Sequence, residues 1–366
     1  MLKIRNYNLD LLRIVSMMMV VGLHFFNHSG LQDAVSQGSP NWYISNLLFS
    51  FCNVCVNCFV LLSGYFQCEA SFKLKRVVST WLHAAVYSVG IYLLYSTLKG
   101  TFSLFELLKS GLVVTMQRFW FVSSYIIMYA LSPFLNCDIA KMSKRMHFLC
   151  CCVLLGLFSV LANLAYINDF AYLEGGYSPI WFCTLYVTAA YVRKHVPVNP
   201  KHRLPALAGY LLCASMIAIE RFAATAITPM IFGSVKLDSL FCSNNSIMTA
   251  AASISLLLFF RSIEIKNVLA EKAIRLFAPL AFGVYLIHEH IITRQIIWNW
   301  LNPAVLHNSP FVVPYFILCV TGIFLVCSLI EWLRRQLFRL FRIDQFVTSL
   351  SDKVQDRVDR WLNASV

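Results

Sequence analysis

The chain has 366 residues, of which 59% are hydrophobic and only 13% are charged, and its mean hydropathy is +0.67. A soluble domain usually carries about 25% charged residues, so this composition excludes an ordinary soluble protein and indicates a polytopic membrane protein. The net charge of +13 does not indicate nucleic-acid binding, because the Lys and Arg residues lie mainly in short segments between apolar runs.

Apolar windows of about 20 residues, the length of a membrane-spanning helix, recur along the whole chain. We predict an all-α polytopic membrane protein with about ten transmembrane helices. The windows are 10–28, 43–66, 77–98, 118–136, 147–166, 177–192, 204–222, 240–260, 275–293 and 311–333. Of the 30 Lys and Arg residues, 23 fall in the termini and the loops on the same side, 6 fall on the other side, and Arg13 lies inside the first window. This asymmetry predicts that both termini are cytoplasmic.

The first window carries ionisable residues although it must enter hydrocarbon. Arg13 and His24 are eleven residues apart, which is close to three helical turns, so they share one face at different depths, separated by roughly 16 Å. Ionisable residues inside a span are costly and indicate a functional site by default. Structural alternatives remain open: Arg13 as an orientation-setting charge, His24 as a hydrogen-bonded residue of the bundle, and Asp10 as an ion-pair partner of Arg13. His28 is expected to be solvated at the membrane interface.

Two further windows bring polar residues toward the two membrane surfaces. Lys75 and Arg76 follow the second window on the cytoplasmic side, where ordinary orientation-setting charges are the alternative reading. The fourth window opens with "QRFWFVSSYIIMYALSPFLN", which brings Arg118, Trp120 and Tyr125 toward the outer surface. A tryptophan is common at the membrane interface. The hydroxyl groups of Ser123, Ser124 and Tyr125 could bind another helix or a sugar.

The ninth window ends in "YLIHEHIITR", which contains His288 and Glu289. His288 is predicted to reach the same depth as His24, so the two histidines could meet. A histidine beside a carboxylate suits general acid–base chemistry, because the carboxylate fixes the tautomer and stabilises the imidazolium. The alternative is a structural ion pair between Glu289 and Arg294. We expect no metal site here or at "CNVCVNC" (52–58), because no companion set of ligands is visible.

These residues fit one geometry. Arg13, Lys75 and Arg76 cluster at the cytoplasmic mouth, whereas the histidines, the glutamate and Trp120 lie toward the outside. An anionic cytoplasmic donor could place its phosphates at the mouth and extend a long arm to the histidines, and coenzyme A has that shape. His24 could then activate an acceptor hydroxyl as a general base, or carry the acyl group itself as a nucleophile.

The same segments resemble the acyltransferase 3 family of bacterial membrane O-acyltransferases. Its first signature is an Arg or Lys followed by ten residues and a His, which Arg13 and His24 reproduce. "FVLLSGYF" followed by "KLKR", then "FWFVSSYIIMYALSPFLN", then "FGVYLIHEHIITR" resemble the later blocks in the family's order. The second block departs from many relatives, since it lacks a further Arg three residues before Arg76 and has Lys73 and Lys75 nearby instead.

The resemblance implies a multi-pass protein of the bacterial plasma (inner) membrane that uses acetyl-CoA or another acyl-CoA as co-substrate and holds no permanent cofactor. The acceptor would be a sugar hydroxyl on a surface polysaccharide or a lipid-linked oligosaccharide. The resemblance implies that His24 is the catalytic residue, that Arg13 is its motif partner, and that Arg76 and Trp120 are functional contacts. Together with the residues argued from position, the predicted site has His24, His288 and Glu289 for catalysis, Arg13, Lys75 and Arg76 for the donor, and Arg118, Trp120 and Tyr125 for the acceptor.

The sequence also permits two other functions. A membrane exporter of a glycan or lipid would line its pathway with the same charges, and an acyltransferase could act on a small molecule instead of a polymer. We expect the transmembrane domain to cover residues 1–333 and an amphipathic tail, residues 334–366, to lie along the cytoplasmic surface.

Overall fold

A computed structural model describes residues 5–164, 172–231 and 242–364, and these residues form helices joined by turns, without a β-strand among them. The main helices are α1 Tyr7–His28, α2 Pro40–Cys52, α3 Cys55–Gln67, α4 Leu74–Lys99, α5 Leu104–Gly111, α6 Trp120–Lys141, α7 Lys144–Leu155, α8 Pro179–His195, α9 Arg203–Ile231, α10 Ile247–Ser262, α11 Val268–Phe277, α12 Ala281–His288, α13 Ile291–Leu301, α14 Val312–Leu340 and α15 Ile343–Ala364. A π-helical stretch, Gly156–Leu161, continues α7. The predicted all-α class is therefore confirmed.

Seven helices or helix pairs of the described chain are long and apolar enough to cross a membrane, and the count is eight if a bent pair is one span. The prediction of ten spans rests on three further windows, of which two are occupied by short helices, α8 with 17 residues and α10 with 16. The start of the eighth window and the end of the fifth lie outside the described residues. Ten spans and cytoplasmic termini stay predictions.

Helix α8 is short because protein rather than lipid surrounds it. Trp181, Phe182, Leu185 and Tyr186 are completely buried. The helix begins at Ser178-Pro179, where the serine side chain accepts a hydrogen bond from a backbone N–H of the first turn. A helix that is enclosed by its neighbours does not need to match the hydrocarbon thickness by itself.

Close approach of α3 to α8 depends on a glycine. A Cβ atom at Gly64 would lie 2.8 Å from the backbone of Tyr186, so only a residue without a side chain permits this contact. Trp181 of α8 also donates from Nε1 to Asn57 of α3, over 3.1 Å. The two helices are thus held in close contact inside the bundle.

Hydrogen bonds join the predicted cytoplasmic loops at one end of the bundle. We call this end, where Asn8, Ile139, Lys194, Val196 and Arg261 lie, the basic end. Arg261 donates to the carbonyl of Val196, Lys194 donates to the carbonyl of Ile139, and Asn8 reaches the carbonyl of Arg261. The loops of the other predicted side meet at the opposite end, where Ser124 donates to the carbonyl of Tyr177 and Asn41 to that of His307. This arrangement agrees with the alternation of charge along the chain.

Two predicted windows are broken in the structure. The window 275–293 was expected to rise as one helix, but α12 ends at His288 and the chain bends by 85° before α13. His290 causes the restart, because its backbone is extended and its ring accepts a hydrogen bond from the N–H of Ile292. The window 43–66 is interrupted between α2 and α3, where the side chain of Asn53 donates to the carbonyl of Cys242 instead of remaining on a helix face.

The predicted division of the chain at residue 333 falls inside a helix, and the placement of the tail along the cytoplasmic surface stays a prediction. Helix α14 continues through position 333 to Leu340, and a turn at Arg342, with a φ of 54°, leads into α15. Helix α15 packs against α4, and Gln355 accepts a hydrogen bond from the first N–H of that helix, at Leu74, over 3.1 Å. The tail is thereby attached to the basic end beside Lys75 and Arg76.

Candidate active site

The polar cluster of the first and ninth windows forms one compact site. Nδ1 of His24 lies 2.9 Å from Nε2 of His288, so the predicted meeting of the two histidines is confirmed. Oε2 of Glu289 lies 3.1 Å from Nδ1 of His24 and 3.4 Å from Nε2 of His28. Arg294 binds the other carboxylate oxygen at 2.8 Å. The chain bend after α12 creates this cluster, because it turns Glu289 back toward α1.

The hydrogen bonds assign the tautomers of both neutral imidazoles. Nδ1 of His288 lies 2.6 Å from the carbonyl of Val284, and a carbonyl only accepts, so this nitrogen carries the proton. Nε2 of His288 is then an acceptor, and Nδ1 of His24 must donate to it. The lone pair of His24 therefore lies on Nε2, which is the state that a general base requires.

Arg13 and His24 lie on one wall of a cavity of about 330 Å³, which confirms that they share a helix face. This inner cavity lies on the basic-end side of His24. Its lining is mainly apolar, and it includes Met17, Val20, Val56, Phe59, Phe121 and Phe282. Asp10 binds Arg13 at 2.6 Å, as the ion-pair alternative supposed, but it also binds Arg5 at 2.6 Å. Two arginines share one carboxylate, so this end keeps an excess of positive charge.

A second cavity, of about 560 Å³, begins on the other side of His24. This outer cavity is more polar, and His28, Asn53, Tyr177, Arg221, Asn244, Glu289 and Arg294 line it together with His24. Trp120 lines both cavities, and its ring packs edge-on against Tyr177 with centroids 4.4 Å apart. His24 and Trp120 thus stand between a narrow apolar space and a wide polar one.

Comparisons with known proteins agree with this geometry. A family model for the acyltransferase domain of the acyltransferase 3 family matches residues 6–332, nearly the whole chain.

The chain belongs to the acyltransferase 3 family.

The family indicates a multi-pass membrane acyltransferase, and the apolar helices agree with that placement. Searches of the curated proteins and of the solved structures found no match.

The remaining predicted site residues of the acyltransferase lie in different places: Arg118 and Tyr125 line cavities, whereas Lys75 and Arg76 do not. Arg118 lines a third cavity of about 440 Å³, which also contacts Trp120, Glu289 and Arg294. Tyr125 lines the inner cavity rather than the outer one, and its hydroxyl accepts a hydrogen bond from Gln67 over 3.0 Å. Tyr125 therefore shares this cavity with Arg13 and His24, and its predicted contact with the acceptor stays a prediction.

Lys75 and Arg76 are not brought to the wall of the inner cavity. Lys75 is half-buried, and Arg76 is exposed with its guanidinium 5.2 Å from the ring centroid of Tyr129. Thr80, one turn further along α4, does line the cavity. The two basic residues of the acyltransferase therefore lie about one helical turn away from the lining of the inner cavity, toward the basic end.

Two residues of the outer cavity were missed or misjudged from the sequence. His28 was expected in solvent, but it faces Glu289 because α1 extends one full turn beyond His24. Arg221 was not among the predicted site residues. An arginine inside an apolar window was the available signal, and its Nε binds the side chain of Asn46 at 2.7 Å.

His24, His288 and Glu289 could also ligate a metal, since one donor atom from each lies within 4.8 Å of the others. Two histidines and a carboxylate are a common ligand set. However, Nε2 of His288 already accepts the proton of His24, and the bond to Val284 fixes the ring for that purpose. The hydrogen bonds account for the cluster by proton chemistry, and the expected absence of a metal site stays a prediction.

Proposed function

We propose that this chain is a membrane O-acyltransferase that moves an acetyl or similar acyl group from a cytoplasmic acyl-CoA to a sugar hydroxyl. The acceptor is a surface polysaccharide or its lipid-linked precursor, and the membrane is the bacterial plasma membrane. One observation carries the proposal: His24 borders both the apolar inner cavity and the polar outer cavity, with its lone pair assigned to Nε2.

The inner cavity suits an acyl-CoA. The phosphates of the donor bind near Arg13 and beside Lys75 and Arg76, where guanidinium and ammonium groups provide charge-assisted hydrogen bonds. The uncharged pantetheine arm occupies the apolar cavity and passes Tyr125. Its thioester then reaches His24, which lies roughly 16 Å from Arg13 along the helix axis.

In the reaction, the acceptor hydroxyl enters from the outer cavity and gives its proton to Nε2 of His24. The hydroxyl oxygen attacks the thioester carbonyl, the tetrahedral intermediate collapses with cleavage of the carbon–sulfur bond, and the imidazolium returns the proton to the leaving thiolate. The products are an ester and free coenzyme A. His288 holds the ring of His24 in the reactive tautomer, and Glu289 stabilises the transient imidazolium at 3.1 Å.

The test uses purified full-length protein in detergent with acyl-labelled acetyl-CoA. We expect the wild type to consume the thioester and His24→Ala to lose about 10³-fold of this turnover, since general base catalysis contributes about 10²–10⁴-fold. The exposed His202 provides a matched control, and His202→Ala is expected to keep full turnover. Size-exclusion chromatography and helical circular dichroism establish that the variants are folded.

Covalent label retained on His24 would favour the nucleophilic route over the general-base route. Folded wild-type protein that binds no acyl-CoA would contradict the proposal. In that case the two cavities would favour an exporter, and His24→Ala would reduce flux instead of acyl transfer.

A further inference from the structure

A positively charged pocket lies beside the site, at the end of the bundle that is opposite to the basic end. We call the third cavity the arginine pocket, because Arg118 and Arg294 line it together with Lys109. Lys109 and Arg118 share one carboxylate, that of Glu106, at 2.9 and 2.8 Å. Arg294 shares Glu289 with two histidines. Three cations thus face two carboxylates, which leaves the pocket with an excess positive charge.

The guanidinium groups of Arg118 and Arg294 still have N–H groups with which they can bind an anion. Among the described residues, Arg118 donates one hydrogen bond through Nη2 and Arg294 donates one through Nη1. A guanidinium has five N–H donors in a planar fork that matches a carboxylate or a phosphate. Their side chains are only 19% and 31% exposed, so an anion in the pocket would be largely removed from water, where such bonds are stronger.

The pocket continues into the reaction site. Trp120, Glu289 and Arg294 line both the arginine pocket and the outer cavity, and His24 lines the outer cavity. A single sugar unit or two adjacent units could therefore place an anionic group against the guanidinium groups while presenting a hydroxyl to His24.

A purely structural role explains part of the cluster. Lys109 and Arg118 hold α5 and the segment after it to Glu106. Arg294 holds Oε1 of Glu289 through Nη1 only, and its side chain lines two cavities, so the pair with Glu289 does not use the whole guanidinium.

We infer that the acceptor is anionic, and that its carboxylate or phosphate group binds to Arg118 and Arg294 in the arginine pocket. This inference rests on the proposed function. The same chemistry is offered by the carboxylate of a uronic acid unit and by the phosphate that joins a glycan to its lipid carrier.

The experiment measures thermal midpoints of the purified full chain with three probes at equal ionic strength: glucuronate, glucose 1-phosphate and glucose. Sodium acetate serves as the simple-anion control. We expect at least one anionic sugar to raise the midpoint of the wild type, glucose and acetate to leave it unchanged, and Arg118→Gln and Arg294→Gln to abolish the shift. Arg357→Gln, a charge change on the exposed face of α15, should keep the shift.

A response to glucuronate alone indicates a uronic acid acceptor, and a response to glucose 1-phosphate alone indicates a phosphate-linked one. An equal response to glucose, an equal response to acetate, no response to any probe, or a shift that survives both Gln variants would overturn the inference. Acetyl-CoA turnover by the same wild-type preparation is measured separately. Its presence with no anion preference contradicts only the anionic acceptor, whereas its absence with no acyl-CoA binding contradicts the proposed function.

Discussion

The molecule contains two buried clusters built from the same residue types. In the site, Glu289 meets His24, His28 and Arg294. In the second, the support cluster, Glu331 of α14 meets His83, Tyr87 and Arg334. The atoms of Glu331 lie 2.9 Å from Nε2 of His83, 2.8 Å from the hydroxyl of Tyr87, and 2.8 Å from both Nε and Nη2 of Arg334.

The two clusters differ in what surrounds them. Glu331 is 1% exposed, both its oxygens accept hydrogen bonds, and a Cβ atom at Gly283 would lie 2.5 Å from its side chain. Glu289 borders two cavities, and its Oε2 meets His24 and His28 only at ion-pair distances. A buried histidine–carboxylate pair therefore indicates chemistry only where a reactant has room to reach it.

Helix α12 joins the two clusters. Gly283 rests against Glu331 in its first turn, and His288 ends the helix at the site. The close contact at Gly283 fixes the helix against α14, so the support cluster sets the position from which His288 binds His24. The support cluster is sealed, whereas the site is open to two cavities.

The largest expected difference comes from deleting each carboxylate. Glu331→Ala leaves Arg334 and His83 buried without their partner, which we expect to cost about 3–5 kcal/mol of folding free energy. Glu289→Ala should lower acyl transfer strongly but destabilise less, because its partners border cavities. Thermal midpoints and acetyl-CoA turnover, measured on both variants, check this contrast. Equal losses of stability would show that the two clusters do not differ in the way described.

His288→Phe tests whether the second histidine acts through the first. The change keeps a ring but removes the acceptor for Nδ1–H of His24, so we expect a roughly 10–100-fold lower kcat, the size of loss known for orienting partners of metal-bound histidines. The KM for acetyl-CoA should change little. An unchanged kcat in a folded variant would mean that the tautomer of His24 is fixed by another group.

Arg13 and Arg334 extend the contrast to arginines. Arg334 binds Glu331 through two nitrogens, whereas Arg13 shares Asp10 with Arg5 and faces the inner cavity. We expect Arg13→Ala to raise the KM for acetyl-CoA about tenfold, the loss of one charge-assisted contact, with a smaller change in kcat. Initial rates across donor concentrations measure this, and a fall in kcat alone would place Arg13 in the chemistry instead.

The smallest effect is expected from metal chelation. If the site performs proton transfer through His24, overnight treatment with EDTA or 1,10-phenanthroline should leave turnover within about twofold. A hydrogen-bonded imidazole pair that transfers protons needs no metal ion, so the chelator removes nothing that the reaction uses. Loss of activity that added Zn²⁺ or Fe²⁺ restores would instead assign His24, His288 and Glu289 to a metal.

Much of the site could be predicted because helix periodicity is local. The eleven-residue spacing places Arg13 and His24 on one face in any α-helix, and the cost of ionisable groups in hydrocarbon made His24 and His288 stand out. His28 and Arg221 could not be placed in the same way. Their roles depend on where the chain bends after His288 and on which helix stands opposite, and neither is encoded in a single window.

The sequence by itself determined that this is an all-helical membrane protein of the acyltransferase 3 family, because hydropathy, loop charge and ordered motifs are properties of the chain. It also determined that Arg13 and His24 share a face. Only the tertiary structure decided that Tyr125 lines the inner cavity, that Glu289 turns back toward α1, and that one histidine–carboxylate cluster borders cavities while the other is sealed. Those outcomes follow from the packing of distant helices around cavities, which no local pattern of residues specifies.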